Sequence, residues 1–538
     1  MNTTRTLPAS SLHPLLIMRV QRLLLSMTAL PKTALLLALS ATVLTSALPA
    51  MARAATPTLQ SAAHQSTAPK SPTTKSTTPQ SASAKNSAEK GPAEKSSGTK
   101  GTALKVAPPH TLMPQDAMHK SLGVVNCASS MCHGATAPWK GSRILQNEYS
   151  TWLRFDKHAN AYNLLLNDES RRMAKKLGLA KPAHEEKICL DCHAHNPPEQ
   201  NRGERFALSD GVSCEACHGP AEHWIKSHTD AATTHVQNIQ NGLYPTSQPV
   251  PMAKLCLSCH FGNDKKLVTH RLMGAGHPRL MFDLDTFANF QPPHYAIDKD
   301  WQARKGEFDG VRLWAIGQAV AVQSLLTTLA DPVQGRDGLF PELVVFDCHA
   351  CHHPMSDKRW QPRQGIGPGR IRLNDANLLM LRTIVKIVSP ADAPAFSAQI
   401  LSLHKAIAGE SPGADALAEA KKLSRLIDRQ IPLFEARRFD TGDVTRILRQ
   451  LIDEGMADGY TDYAGAEQAF MAISGVANHW QKSGALSPAT ARQFRHHLDT
   501  LRQTLANDEK YSPAAFKAEL QKLRQLIGTP PPPATGRS

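Results

Sequence analysis

All ten cysteines of this 538-residue chain fall in pairs, and a histidine directly follows the second member of every pair. Four pairs read CLDCH (Cys189, Cys192, His193), CEACH (Cys214, Cys217, His218), CLSCH (Cys256, Cys259, His260) and CHACH (Cys348, Cys351, His352). C-x-x-C-H is the attachment signature of c-type haem. The two thiols add across the haem vinyl groups, and the adjacent histidine is held beneath the iron as its proximal ligand. Zinc ribbons also use C-x-x-C, but they need two pairs per metal and no histidine at the next position. The fifth pair, Cys127 and Cys132 in CASSMCH, keeps the terminal Cys-His and lengthens only the spacer. A fifth haem with His133 as proximal ligand is the expectation there, against a stray metal site or a disulfide. Five covalent haems c would use every thiol. Set so closely between Cys127 and His352, they cannot each occupy a separate domain, so a cluster with porphyrin as much of its core is expected.

Attachment of this kind implies export, and the N-terminus has the layout for it. Arg19, Arg22 and Lys32 precede an apolar run from Thr33 to Leu48, and Ala52-Arg53-Ala54 offers a small-x-small cleavage site. Residues 1–54 therefore read as a signal peptide and the destination as the periplasm. The run is shorter than the roughly 20 residues of a spanning helix, so membrane association through an uncleaved N-terminus is the secondary reading. Residues 55–109 are rich in Ser, Thr, Ala, Pro and Lys and poor in large apolar side chains, which marks a disordered tether. The leader carries five of the chain's fifteen net positive charges and the tether a net five, leaving five for residues 110–538. Haem propionates would roughly neutralise those, so the basic balance is no argument for a nucleic-acid partner.

Each haem iron has a second axial position. Thirteen non-proximal histidines lie between His110 and His353, enough for bis-histidine ligation throughout; Met273, Met281 and Met355 are secondary candidates. The local sequence also resembles a known group. DKHANAY (156–162), GVSCEACHGPAEHWIKSH (211–228), HRLMGAGHPRL (270–280), PPHY (292–295), LWAIGQAVA (313–321) and FDCHACHHPM (346–355) resemble the multihaem c-type cytochromes of the cytochrome c-554 family, over about residues 120–360. The resemblance implies a periplasmic electron carrier with closely stacked haems. It also implies that distal ligands come from His158, His228, His270, His277, His294 and His353, six candidates for five irons. Namesake members carry four haems, so ligand pairing cannot be copied across.

After about Gly369 the haem motifs stop and helical signals dominate. Asp375 could cap a helix through Val388, and Thr441 opens another closed by Gly455. Ser487-Pro488 and Ser512-Pro513 each read as N-cap and N1 proline. Five to seven antiparallel helices would form a bundle whose His404, His479, His496 and His497 are expected to face solvent. The fold class is thus mainly α: a haem-bearing region (110–368) with little regular sheet, a helical bundle (369–528) and a disordered tail (529–538). Two functions follow. One is an electron relay with periplasmic or membrane-bound redox proteins as partners and no catalytic residue. The other is a redox enzyme acting on a nitrogen or sulfur oxyanion, hydroxylamine or nitric oxide at one open iron. No C-x-x-C-K motif, one sign of a reductase site, occurs.

Overall fold

The computed structural model describes residues 112–142, 144–331, 342–352, 372–409, 412–482 and 487–528. The leader, the tether, the tail, Met355 and His353 lie outside the described residues. Thr102–Ser538 forms one compact unit. Among the described residues the regular structure is helical, with only two isolated bridges, Ser121 to Arg202 and Phe346 to Leu373.

In the haem-motif region the helices are short: α1 (Glu148–Phe155), α2 (Asp168–Leu177), α3 (Lys187–His193), α4 (Cys214–His218), α5 (Pro249–His260), α6 (His270–Ala275) and α7 (Leu284–Phe290). Three of them, α3, α4 and α5, end on a proximal histidine, so the motifs sit on the last helical turn. Side-chain cores here are small. Leu165, Ala174, Ala183, Leu190 and Ala194 form one, and Leu177, Val268, Leu272 and Ala275 another. Large apolar side chains are left exposed instead, among them Phe290 (76%), Met131 (73%) and Phe155 (68%). Among the described residues, only Leu433 of the large hydrophobics exposed in this way lies beyond Leu343. A polypeptide that cannot close its own core yet stays ordered is one that packs against something other than side chains.

The opposite holds for the rest. Helix α8 (Gly310–Ala330) is capped by Asp309, whose carboxylate accepts the Arg312 N–H at 3.0 Å. By length and composition it could cross a membrane, but most of it is buried in the protein. It packs against α5, α7 and three helices of the C-terminal region: α9 (Ala376–Val388), α11 (Pro412–Ala436) and α13 (Tyr463–Lys482). With α10 (Ala393–Ile407), α12 (Thr441–Met456), α14 (Pro488–Gln503) and α15 (Pro513–Leu526) these make a seven-helix bundle. One large core runs from Leu257 through Trp314, Leu378, Ile447 and Phe494 to Ile527. The line drawn at 368/369 from the motifs thus separates chemistry, not packing, because α5 and α8 belong to the bundle's core.

The expected caps at Ser487 and Ser512 form, accepting the Thr490 and Ala515 N–H groups. Two details differ. Asp375 stands at the N-cap of α9 but makes no cap bond; its carboxylate meets His404 Nε2 at 3.0 Å. His404 is therefore buried, not solvent-facing. Helix α12 does open at Thr441, and its cap is the preceding Asp440, which accepts the Asp443 N–H at 2.7 Å.

Candidate functional site: five facing histidine pairs

Every proximal histidine faces one other histidine. His133 faces His228 with ring centroids 6.3 Å apart, and His193 faces His277 at 6.4 Å. His218 faces His294 at 6.3 Å, His260 faces His158 at 5.9 Å, and His352 faces His270 at 6.1 Å. A metal–imidazole bond is about 2 Å and a ring centre lies about 1.1 Å behind its nitrogen, so trans imidazoles on one ion hold their centroids roughly 6.2 Å apart. All five spacings sit close to that value. Each partner comes from the resemblance-derived candidates, and the sixth candidate, His353, lies outside the described residues. The other histidines named from sequence do not enter these pairs. His195 is buried with its Nε2 2.7 Å from Ser121 Oγ, and His479 meets Asp285 at 3.3 Å.

The rings are held by their other nitrogen. Nδ1 of His133 donates to Glu148 (2.9 Å), that of His158 to Asp156 (2.8 Å) and that of His193 to the Ala161 carbonyl (3.0 Å). Nδ1 of His228 is 3.2 Å from the Trp224 carbonyl, and that of His277 is 2.8 Å from the Pro278 carbonyl. Anchoring Nδ1 fixes the tautomer and leaves Nε2 free to ligate, the usual outer support of a metal-bound histidine. His277 reaches its place because Gly276 ends α6 at φ 126°, a conformation a side chain would oppose.

Electrostatics sorts the pairs. The carboxylate bonds raise the basicity of His133 and His158. Burial works against the charge of Asp156, yet its bonds to His158 and Gln291 outweigh that and hold it at about 2. His218 has no such partner, and burial lowers it to about 4, which keeps the ring neutral. Neither orienting carboxylate was read from sequence. Asp156, two residues before His158, could have been found as a local turn; Glu148, far along the chain from His133, carries no local signal.

The cysteines also show an order. The Cys127 thiol of the first motif lies beside Cys214 of the third, and the fourth motif lies beside the second, with Cys259 Sγ 3.9 Å from the Asp191 carbonyl. Burial pushes the Cys217 and Cys256 thiols up to about 12, and a neighbouring thiol of the other motif raises each further, Cys259 for Cys217 and Cys217 for Cys256. Among the described residues the motif thiols and imidazoles nowhere converge in threes, as a zinc cluster would require. The donor set therefore fits haem: paired cysteines, one imidazole on each side, and exposed apolar surface around them.

A short-helix fold with paired cysteines and facing imidazoles is that of a multihaem cytochrome c, a class that carries haem c and transfers electrons. Residues 126–219, which contain three complete attachment motifs, match the family model for cytochrome c554 and c-prime. The chain is a c-type cytochrome that resembles the c554 family over that stretch. Among curated proteins and among solved structures nothing matches.

Proposed function

We propose that the protein is a periplasmic electron relay carrying five covalent haems c, each iron held between the proximal histidine of its motif and one partner. His228, His277, His294, His158 and His270 serve the first to fifth motifs in that order. The observation that carries this reading is the set of five ring separations between 5.9 and 6.4 Å. Haem supplies one-electron chemistry; the polypeptide sets each potential through ligands, burial and nearby charge.

The proximity of the motifs supports the order first, third, fourth, second. The fifth motif joins beyond the second, since His270 and His277 flank the single short helix α6 and face His352 and His193. Cys132 and Cys351, in the two motifs at the ends of this order, are the exposed cysteines, while the other eight are not. That is the arrangement of a wire whose ends meet partners. Electron tunnelling falls steeply with distance, so neighbouring motifs in contact favour relay along this line. With a histidine facing every proximal ring, the pairing supports the carrier over the open-iron enzyme. The apolar run 33–48 and the basic residues before it support export, and the redox partners would then be periplasmic or membrane-bound proteins.

Intact-mass measurement of the exported protein tests the haem count: five haem masses on a chain beginning near Ala55 are expected. Electron paramagnetic resonance tests the function. An oxidised spectrum that is low-spin throughout and unaffected by cyanide or nitric oxide is expected; a native high-spin haem that turns over hydroxylamine or an oxyanion would replace the relay with the enzyme.

A further inference from the structure

His119, Glu222 and His223 lie outside all five pairs, yet their donor atoms all lie within 4.8 Å of one another. We infer that these three residues bind a divalent transition-metal ion, distinct from any haem, on the surface behind the third attachment motif. The donors come from segments more than a hundred residues apart, and backbone contacts lock them in register. The Lys120 N–H donates to Glu222 Oε2 at 2.8 Å, and the Glu222 N–H to the Lys120 carbonyl at 3.3 Å. Oε1 of Glu222 is left for a ligand.

The two imidazoles meet edge to face with centroids 4.5 Å apart. Among the described residues no hydrogen bond holds the His119 ring, and His223 has only a 3.8 Å approach to Glu222. Two rings in contact without hydrogen-bond partners would gain from a shared ion. The His119 ring is accommodated by Gly242 (φ 102°), where a Cβ would come within 3.0 Å of its Cδ2. Gly242 in turn backs onto Gly219, the residue after His218: a Cβ on Gly219 would meet the Gly242 carbonyl oxygen at 2.4 Å. The site is therefore built on the turn that carries a proximal histidine.

Two imidazoles and one carboxylate are the donor set of open zinc sites, with water completing the shell. Among divalent ions such nitrogen-rich sites prefer the later first-row metals to magnesium or calcium. Bound there, the ion would clamp residues 119–120, close to where the described chain begins, to the 220–224 segment.

Zinc is the probe. The holoprotein is dialysed against micromolar zinc, and retained metal is counted by mass spectrometry against the haem iron of the same sample. One zinc per protein is expected, with His119→Gln and His223→Gln each reducing it to background and Glu222→Gln weakening retention at least tenfold. The Soret band of each variant should match that of the wild type, which shows that the haem ligands are untouched. Wild-type protein that retains no zinc, a double variant His119→Gln/His223→Gln that retains as much as wild type, or a variant that turns a haem high-spin would each overturn the inference. The last result would make the residue an iron ligand.

Discussion

Replacing His277 with glycine should open one iron and leave the other four alone. The hydrogen bond that orients the ring is to its own neighbour, the Pro278 carbonyl at 2.8 Å, so removing the ring breaks no hydrogen bond between elements. What is lost is the ligand facing His193. One pair in five disappears, so about a fifth of the iron should become high-spin, as integrated electron paramagnetic resonance reads it. Ring geometry gives a second magnitude. Crossed imidazole planes leave two iron d orbitals nearly degenerate and give a strongly anisotropic low-spin signal, whereas near-parallel planes split them and give a rhombic one. The planes cross at 87°, 83° and 88° in the His158–His260, His193–His277 and His218–His294 pairs, against 17° for His133–His228 and 35° for His270–His352. The wild type should therefore show three anisotropic centres and two rhombic ones, and His277→Gly should lose one of the three. Added imidazole should fill the space and restore low spin. A variant that stays entirely low-spin, or one whose high-spin fraction appears with loss of a rhombic signal, would refute the pairing of His277 with His193.

Glu148→Gln should raise the potential of the haem at His133, because a neutral partner no longer stabilises the more positive ferric state; Asp156→Asn should do the same for the haem at His158. A charge-assisted bond exceeds a neutral one by roughly 1 kcal/mol, or about 40 mV for a one-electron couple, and spectroelectrochemistry should find one haem moved in each variant. Asp283 supplies a pH dependence. Fully buried beside Gln318 and Gln468, its carboxyl is pushed by burial up to about 6. The folded value lies above the unfolded one of about 3.9, so its contribution to stability is complete below pH 4 and is lost as pH rises through 6, roughly 3 kcal/mol in all. Asp283→Asn keeps a capping side chain for α7 and should flatten that limb in thermal melts between pH 4 and 7; a variant whose pH profile parallels the wild type's would remove Asp283 as the cause. Deleting residues 60–105 should leave the visible spectrum and reduction profile unchanged, and a lost haem or shifted Soret band would show that this segment serves the core.

The chemistry of this chain was more legible than its architecture, for a physical reason. Covalent attachment needs thiols and an imidazole at fixed local spacing, so the motifs are written in runs of five to seven residues. The α14 and α15 helices and their serine caps were likewise local, since an N-cap bond spans only three residues. Pairing is not local. His158 lies about a hundred residues from His260, and only the folded chain brings them to 5.9 Å. Nor could sequence say that α8, flanked by haem motifs, belongs to the core of the C-terminal bundle. Its unbroken apolar face records burial on all sides but not by what.

That placement of α8 bears on what the bundle does. The short-helix region has no side-chain core large enough to fix five motifs, and its ordering must rest on the groups it binds and on the neighbours it packs against. The bundle reaches two of the motifs directly. Phe282, part of the large core, stacks on His260 with centroids 4.5 Å apart. His349 of the fifth motif packs against Tyr463 of α13 and lies 3.5 Å from Asp508. Arg279, two residues after His277, pairs with Glu467 of α13 at 2.6 Å. The contacts thus fall on the proximal ring of the fourth motif, the attachment loop of the fifth and the segment leading from His277, which faces the second motif's proximal ring. Among the described residues no such contact reaches the first motif, whose Cys132 is exposed. If the five motifs carry haem in the proposed order, a bundle that braces one half of that order would act as a scaffold for fixed inter-haem distances, and the first-motif end would be the broader face for a redox partner.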